Sequence, residues 1–209
     1  MNYIKSTLYP SAFLVGLLSL FSCSNDQAEI KQAPRDSTAA QQAPNPFPFY
    51  KELAVTPGFG FEVVSWGKGV DSLGGYLILM SDSLKNNYKS FAVEREGIIS
   101  DAWNMDLDND GNPEIYVELK SGGNKADLNV YEYSRGNFQK ISFPGLPSKL
   151  KKLYNGHDKY FIKEGELFRS FPAANSEEGA EKADDIKVVR YSLRGNQFST
   201  SEVENEAQP

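Results

Sequence analysis

Acidic side chains occupy every second position of one short segment, and this spacing is typical of a loop that binds a metal ion. Asp106, Asp108 and Asp110 are followed by Gly111 and then by a fourth acid, Glu114. Carboxylates at positions i, i+2 and i+4 converge when the backbone coils around an ion, and Ca²⁺ takes six to eight oxygen ligands at about 2.3–2.6 Å. Gly111 permits the sharp turn that such a coil requires. The segment therefore predicts a site for a hard cation, with an acidic turn that binds no metal as the alternative.

The segment differs from an EF-hand loop and resembles another calcium loop. Counted from Asp106, the twelfth position is Val117, where an EF-hand carries a bidentate glutamate. Pro113 stands where EF-hands usually carry an aliphatic residue, and the flanks read as strands, not helices. The pattern D-x-D-x-D-G-x-x-E resembles the loops that join strands in FG-GAP and related β-repeat proteins. That resemblance implies one bound Ca²⁺, with ligands from the four acids and from the main-chain carbonyl of Asn112.

A serine–glycine turn follows the apolar strand predicted after the acidic loop. The turn is Ser121-Gly122-Gly123-Asn124-Lys125, and a second predicted strand, Leu128-Asn129-Val130-Tyr131-Glu132-Tyr133, comes after it. Most such turns only connect two paired strands. Here the order of acidic loop, strand, turn and tyrosine-ended strand resembles bacterial periplasmic lysozyme inhibitors of the PliI-like group. The resemblance spans about residues 101–198 and includes the downstream segments 154–158, 166–172 and 189–193.

This resemblance implies that a protruding loop enters the cleft of a lysozyme and hydrogen-bonds the catalytic carboxylates. A glycosidase keeps one carboxyl protonated and one ionised, and a serine hydroxyl can serve both because it donates and accepts. Ser121 would be that hydroxyl, and the glycines after it would let the backbone approach closely. The family loop carries a tyrosine a few residues after its serine, where this chain has an asparagine and a lysine. The implied inhibitory residues are Ser121, Gly122, Gly123, Asn124, Lys125 and the nearest aromatic residue, Tyr131.

The start of the chain reads as a bacterial lipoprotein signal. Lys5 precedes an apolar run at 12–21, which is shorter than the roughly 20 apolar residues that a membrane-spanning helix needs. The run leads into Leu20-Phe21-Ser22-Cys23, which resembles a lipobox, and Cys23 is the only cysteine. A plain signal peptide with an incidental cysteine is the alternative. A used lipobox would place acyl chains on Cys23 and anchor the protein in the bacterial envelope, in the outer membrane, at either its periplasmic or its surface face.

Composition divides the chain into three parts. We expect a signal peptide at 1–22, a lipidated cysteine and disordered tether at 23–48, and a single β domain at 49–205. The tether is rich in Ala, Gln, Pro and Ser, so it cannot bury enough apolar surface to order itself. Without the signal, 21 basic residues stand against 28 acidic ones, a formal charge of −7. This balance argues against nucleic acid and favours a cation or a basic protein as partner.

The domain at 49–205 is predicted to be all-β. Apolar and aromatic clusters alternate with Gly, Asn, Asp and Pro, without a long 3.6-residue period. We expect an antiparallel sandwich or barrel with at most one short helix, at 147–154, a mobile loop at 173–185 and no strong internal repeat. Short hairpin turns with glycine are predicted at 134–137, 163–166 and 193–196. The predicted strands are 60–66, 75–81, 90–96, 98–107, 114–120, 127–133, 138–142, 159–163, 166–171, 186–193 and 197–202.

Few residues of this chain suit enzyme chemistry. His157 is the only histidine, so zinc sites built from His and Cys are excluded and a Ser-His-Asp triad has one candidate. Its neighbours, Gly156 and Asp158, favour a turn residue over a catalytic base. A hydrolase that uses the acids at 106, 108 and 110 is the weakest alternative, because those acids are spaced for a cation. Trp66 and Trp103 are expected in the core.

The sequence therefore favours a non-enzymatic, lipid-anchored domain whose partner is a lysozyme-like glycoside hydrolase. The alternative is a calcium-stabilised envelope module that binds glycan or has a structural role. In the favoured interpretation a bound Ca²⁺ would rigidify the start of the strand 114–120 and so brace the turn at its far end. The type of lysozyme and the formation of a homodimer are left open.

Overall fold

The computed structural model describes residues 47–67, 73–122, 124–174 and 186–203. All of them belong to the compact unit Gln42–Pro209. The predicted signal peptide, the lipidation of Cys23 and most of the predicted tether lie outside the described residues. So do Gly123 of the predicted inhibitory loop and all but two residues of the predicted mobile loop at 173–185.

The described residues form twelve β-strands and one short helix. The first sheet consists of β1 (Tyr50–Thr56), β2 (Phe59–Trp66), β3 (Leu73–Asp82) and β4 (Asn87–Glu96). The second consists of β5 (Ile98–Met105), β6 (Glu114–Ser121), β7 (Lys125–Ser134) and β8 (Asn137–Ile141). After helix α1 (Ser148–Lys151), the third consists of β9 (Lys159–Lys163), β10 (Glu166–Pro172), β11 (Ile186–Arg194) and β12 (Gln197–Val203).

Each sheet is an antiparallel meander in which neighbours in sequence are neighbours in space. The prediction of an all-β fold with at most one short helix is confirmed. The same four-strand arrangement occurs three times in succession within the described part of the chain, although the sequence shows no strong internal repeat. The antiparallel meander repeats here, whereas the lengths of the connections and the identity of the residues do not.

The second sheet lies between the other two, and each of its faces carries a hydrophobic core. Ile115, Val117 and Leu119 of β6 pack with residues of the first sheet, whereas Tyr116 packs with residues of the third. Successive side chains of a strand point to opposite faces, so β6 is buried on both sides. A strand in this position needs an almost continuous apolar run, which is what residues 115–119 provide.

Three predicted hairpin turns are confirmed, and one strand was not predicted. The loops β7–β8, β9–β10 and β11–β12 each hold two residues with positive φ, as a type I′ turn requires. Strand β1 was missed because it is an edge strand on which Leu53 is the only buried side chain. Helix α1 falls within the predicted range 147–154.

The two tryptophans behave differently from each other. Trp103 stacks on Tyr116 with ring centroids 5.4 Å apart and packs against the second core. Trp66 is 42% exposed, so the prediction that it belongs to the core is wrong. Its ring lies over Gly75, where a Cβ atom would come within 2.2 Å of it. Within the described residues, no helix is long and apolar enough to cross a membrane.

Candidate metal centre and hairpin tip

The acidic loop, residues 106–114, connects β5 to β6 and ends at the first residue of β6. Two of its residues have positive φ, Asn109 at 56° and Gly111 at 87°. Asparagine and glycine tolerate this conformation, which turns the backbone back on itself. A Cβ atom on Gly111 would meet nothing within 4 Å, so backbone conformation, not crowding, favours glycine there. The sequence thus coils the loop as the spacing of its acids predicts.

Four carboxylates converge inside this coil. One oxygen from each of Asp106, Asp108, Asp110 and Glu114 lies within 4.8 Å of the others. Two oxygens on one Ca²⁺ are at most about 4.6–5.2 Å apart, twice the ion–oxygen distance. The four predicted side-chain ligands therefore sit close enough together to hold a single metal ion.

Hydrogen bonds within the loop hold two of these carboxylates in place. Asp106 accepts the backbone N–H groups of Asp110 and Gly111, both at 3.0 Å. Asp110 accepts the backbone N–H of Asn112 at 2.8 Å and its side-chain amide at 2.9 Å. These hydrogen bonds hold the loop in its coiled conformation without a contribution from an ion. A role for the Asn112 carbonyl as a ligand stays a prediction.

Glu114 is the buried member of the cluster, with no exposed surface. Its Oε2 accepts the backbone N–H of Leu107 at 2.8 Å and the hydroxyl of Tyr116 at 3.4 Å. Its Oε1 is buried and has no hydrogen-bond partner in the described part of the chain. Burial, reinforced by the neighbouring acids Asp108, Asp106 and Asp110, raises the pKa of Glu114 to about 8. A carboxylate in this position is costly unless a positive charge accompanies it.

Asp108 connects the acidic loop to the third sheet. Its Oδ2 accepts the backbone N–H of Gly195 at 3.0 Å, across 87 residues of sequence. Gly195 lies in the turn between β11 and β12. The other oxygen of Asp108, Oδ1, is buried, and among the described residues it has no hydrogen-bond partner. Nothing in the local sequence of either segment indicated this contact, because only the stacking of the sheets brings them together.

The predicted inhibitory loop forms the tip of the β6–β7 hairpin. Ser121 pairs with Lys125, and Asn124 in the turn has a φ of 53°. Gly123 lies outside the described residues. Ser121, Gly122, Asn124 and Lys125 are exposed. This part of the predicted site is therefore available to a partner.

Tyr131 is not part of this exposed tip. It is 1% exposed and belongs to the core between the first two sheets. Its hydroxyl lies 2.9 Å from that of Tyr76, with either group able to donate. The prediction that Tyr131 contacts a partner does not fit this placement.

The acidic loop and the hairpin tip lie at opposite ends of β6. Glu114 begins the strand and Ser121 ends it. Seven residue steps at about 3.3 Å each separate them by roughly 23 Å. The expectation that a bound ion would brace the tip therefore lacks a direct contact, and any effect would have to pass along the strand.

A buried ion pair between Asp158 and Arg169 holds the base of the hairpin tip, at the end of β6 opposite the acidic loop. We call this ion pair and its contacts the brace. Arg169 Nε donates to Asp158 Oδ1 at 2.7 Å, and both side chains are almost fully buried. Asp158 Oδ2 accepts the backbone N–H of Ala126 at 2.9 Å and the hydroxyl of Tyr154. Arg169 also donates to the Ala126 carbonyl at 3.3 Å, which fixes the start of β7 through both of its backbone groups.

Two further contacts complete this brace. The backbone N–H of His157 donates to the Asn124 carbonyl at 2.8 Å, and its φ of 62° marks it as the turn residue that the sequence predicts. The Arg169 guanidinium lies 5.1 Å from the ring centroid of Tyr154 and 5.4 Å from that of Tyr160, within cation–π range. The sequence gives no sign that Asp158 and Arg169 pair. The two residues lie in the segments 154–158 and 166–172 singled out in the sequence.

Comparisons of the chain with protein-family models, with curated proteins and with solved structures give no match.

Proposed function

We propose that the acidic loop binds one Ca²⁺ and that this ion stabilises a non-enzymatic β domain. The observation that carries the proposal is the buried, unpartnered Oε1 of Glu114 beside three other carboxylates. Such an oxygen costs about 1–3 kcal/mol or more in the absence of a partner, and charged groups cost most. A divalent cation supplies that partner and offsets the repulsion among the four acids.

The donor set favours Ca²⁺ over other divalent ions. Carboxylate oxygens suit Ca²⁺, Mg²⁺ and Mn²⁺, whereas Zn²⁺ favours His and Cys. Opposite oxygens on Mg²⁺ are only about 4.2 Å apart, and Mg²⁺ usually keeps several waters and few carboxylates. Four carboxylates spread over 4.8 Å match the larger ion better.

Thermal unfolding in Ca²⁺, in Mg²⁺ and in chelator tests this proposal. A ligand that binds only the native state stabilises it by about 2.7 kcal/mol at a hundredfold excess over Kd. We expect Ca²⁺ to raise the midpoint and Mg²⁺ to raise it less. Equal midpoints in Ca²⁺ and chelator would contradict the proposal.

Terbium luminescence gives an independent test of the same site. Trp103 stacks on Tyr116, whose hydroxyl contacts Glu114 Oε2. A Tb³⁺ ion in the loop should therefore emit when these rings are excited, and Ca²⁺ should displace it. The Trp66→Phe variant keeps Trp103 as the only tryptophan and should retain the signal, since the chain has two tryptophans. Emission that survives excess Ca²⁺ would place the Tb³⁺ elsewhere.

A second proposed function rests on the exposed, braced tip of the β6–β7 hairpin. We propose that this tip enters the cleft of a lysozyme-like glycoside hydrolase, with the Ser121 hydroxyl and the Lys125 ammonium facing the catalytic carboxylates. The exposure of both residues supports this role. The acidic balance of the chain suits a cationic partner through steering and charge complementarity. Lipidation at Cys23 would hold the inhibitor at the envelope.

Inhibition assays against chicken-, goose- and invertebrate-type lysozymes test the second function. Ser121→Ala and Lys125→Ala should weaken inhibition and leave the melting temperature nearly unchanged, because exposed substitutions cost within about 0.5 kcal/mol. Lys140→Ala, which removes another exposed lysine on the same sheet, is the matched control and should inhibit like the wild type. Failure to inhibit any lysozyme at micromolar protein would contradict it. The calcium-stabilised envelope module, with a glycan or structural role, would then remain.

A further inference from the structure

The β11–β12 turn reaches across from the third sheet to the acidic loop of the second. It consists of Gly195 and Asn196, with φ of 50° and 63°. The Gly195 N–H is the donor to Asp108 Oδ2 at 3.0 Å, so the backbone of the turn lies directly against the loop. The next residue, Asn196, directly follows this contact in the turn.

Asn196 carries a third oxygen that lacks a partner. Its Oδ1 is buried and, within the described ranges, accepts no hydrogen bond, like Asp108 Oδ1 and Glu114 Oε1. When Glu114 is ionised all three atoms are acceptors, so none of them can satisfy another. Buried polar groups without partners are rare in native proteins, and three of them in the acidic loop and the turn that contacts it favour one common explanation. A cation provides it, because several oxygens can coordinate one ion at the same time.

We infer that Asn196 Oδ1 is an additional ligand of the ion, supplied by the third sheet. This inference rests on the proposed function of the acidic loop. Ca²⁺ takes six to eight oxygens, so the loop's own carboxylates leave room for a neutral amide oxygen. The ion is then shared between two sheets and links β5–β6 to the β11–β12 hairpin.

A shared ion has a structural consequence that a loop-bound ion lacks. When Ca²⁺ is bound, the β11–β12 turn is fastened to the second sheet at its exposed end. When Ca²⁺ is removed, the hydrogen bond between Gly195 and Asp108 still joins the turn to the acidic loop. This one contact holds the turn less firmly, so the end of the hairpin opens more often. Calcium therefore controls the local stability of the third sheet, and amide exchange at the turn reports it.

The Asn196→Gly variant tests this inference. Glycine removes the amide oxygen and tolerates positive φ, so the turn itself is kept. The matched control is Asn86→Gly, an exposed asparagine with φ 49° in the β3–β4 turn of the first sheet. Calorimetric titration with Ca²⁺ should show an affinity about tenfold weaker for Asn196→Gly, the scale of losing a group that supports a metal site. Asn86→Gly should match the wild type.

Hydrogen exchange of the full protein, with and without Ca²⁺, distinguishes Ca²⁺ binding by the acidic loop from ligation of the ion by Asn196. We expect Ca²⁺ to slow exchange at Gly195 and its neighbours in the wild type, and to do so much less in Asn196→Gly. If the wild type binds no Ca²⁺, the proposed function of the loop fails. If the wild type binds Ca²⁺ and Asn196→Gly binds it equally well, with the same protection of the turn, the ligand role of Asn196 alone is overturned.

Discussion

Substitution of Glu114 by glutamine should move stability in opposite directions with and without calcium. Glutamine keeps the shape of the side chain and an acceptor for the Leu107 N–H, and it removes the buried charge. In the metal-free protein at pH 7 the native state must keep that group protonated, which costs stability, whereas in the calcium-bound protein the carboxylate is a ligand. Few substitutions separate a structural acid from a metal ligand so directly.

The pKa of Glu114 gives the size of the metal-free effect. Its ordinary value is 4.5 and its value in the folded protein is about 8. The native state therefore holds this proton more tightly than the unfolded state, and stability is lost as the pH rises above 4.5. Between pH 4.5, the ordinary pKa of Glu114, and pH 7, the free energy of unfolding falls by about 1.4 kcal/mol per pH unit. The native protein is therefore less stable at pH 7 by about 3 kcal/mol. Glu114→Gln does not titrate and should regain up to that amount.

Urea unfolding at pH 7, in chelator and in saturating Ca²⁺, measures both effects. We expect Glu114→Gln to be more stable than the wild type in chelator and to gain little from Ca²⁺. Glu118→Gln is the matched control, because Glu118 is buried on the same strand and accepts a hydrogen bond from Ser100 outside the acidic loop. It should respond to Ca²⁺ like the wild type. A Glu114→Gln protein that is destabilised in chelator and stabilised normally by Ca²⁺ would refute the reasoning.

Three further predictions follow from the same contacts. In chelator, the free energy of unfolding of the wild type should fall between pH 5 and pH 8 and level off above it, and saturating Ca²⁺ should remove this trend; a rise over that range would contradict the raised pKa of Glu114. Arg169→Met should cost about 3–5 kcal/mol in urea unfolding, because it leaves Asp158 buried without its cation, and a cost under 1 kcal/mol would contradict the brace. Tyr131→Phe should lose about 1 kcal/mol with its hydrogen bond to Tyr76 and leave any lysozyme inhibition unchanged; weaker inhibition at equal stability would return Tyr131 to the partner site.

The local features of this protein could be predicted because they depend on neighbouring residues. The turn at Glu164 and Gly165 follows from the glycine and from the strands that flank it. The acidic loop follows from the spacing of its acids and from Gly111. The all-β class follows from alternation and from the absence of a helical period. Each of these inferences needs only a short window of sequence.

The rest depends on contacts between distant segments. The loop β11–β12 meets Asp108 only because the third sheet stacks on the second, and the same stacking brings the Asp158–Arg169 pair against Ala126 beneath the hairpin tip. Tyr131 was placed in the inhibitory site as the aromatic residue nearest the turn, and its burial depends on the first sheet packing against its strand. Trp66 was assigned to the core on size, although its position over Gly75 leaves much of the ring exposed.

Calorimetric titration of the purified protein with Ca²⁺ tests the central claim most directly. The acidic loop, with Glu114 buried at its centre, predicts one Ca²⁺ per chain, with binding that Glu114→Gln weakens and Glu118→Gln leaves unchanged. No heat of binding, together with an unfolding midpoint that is the same in Ca²⁺ and in chelator, would contradict it.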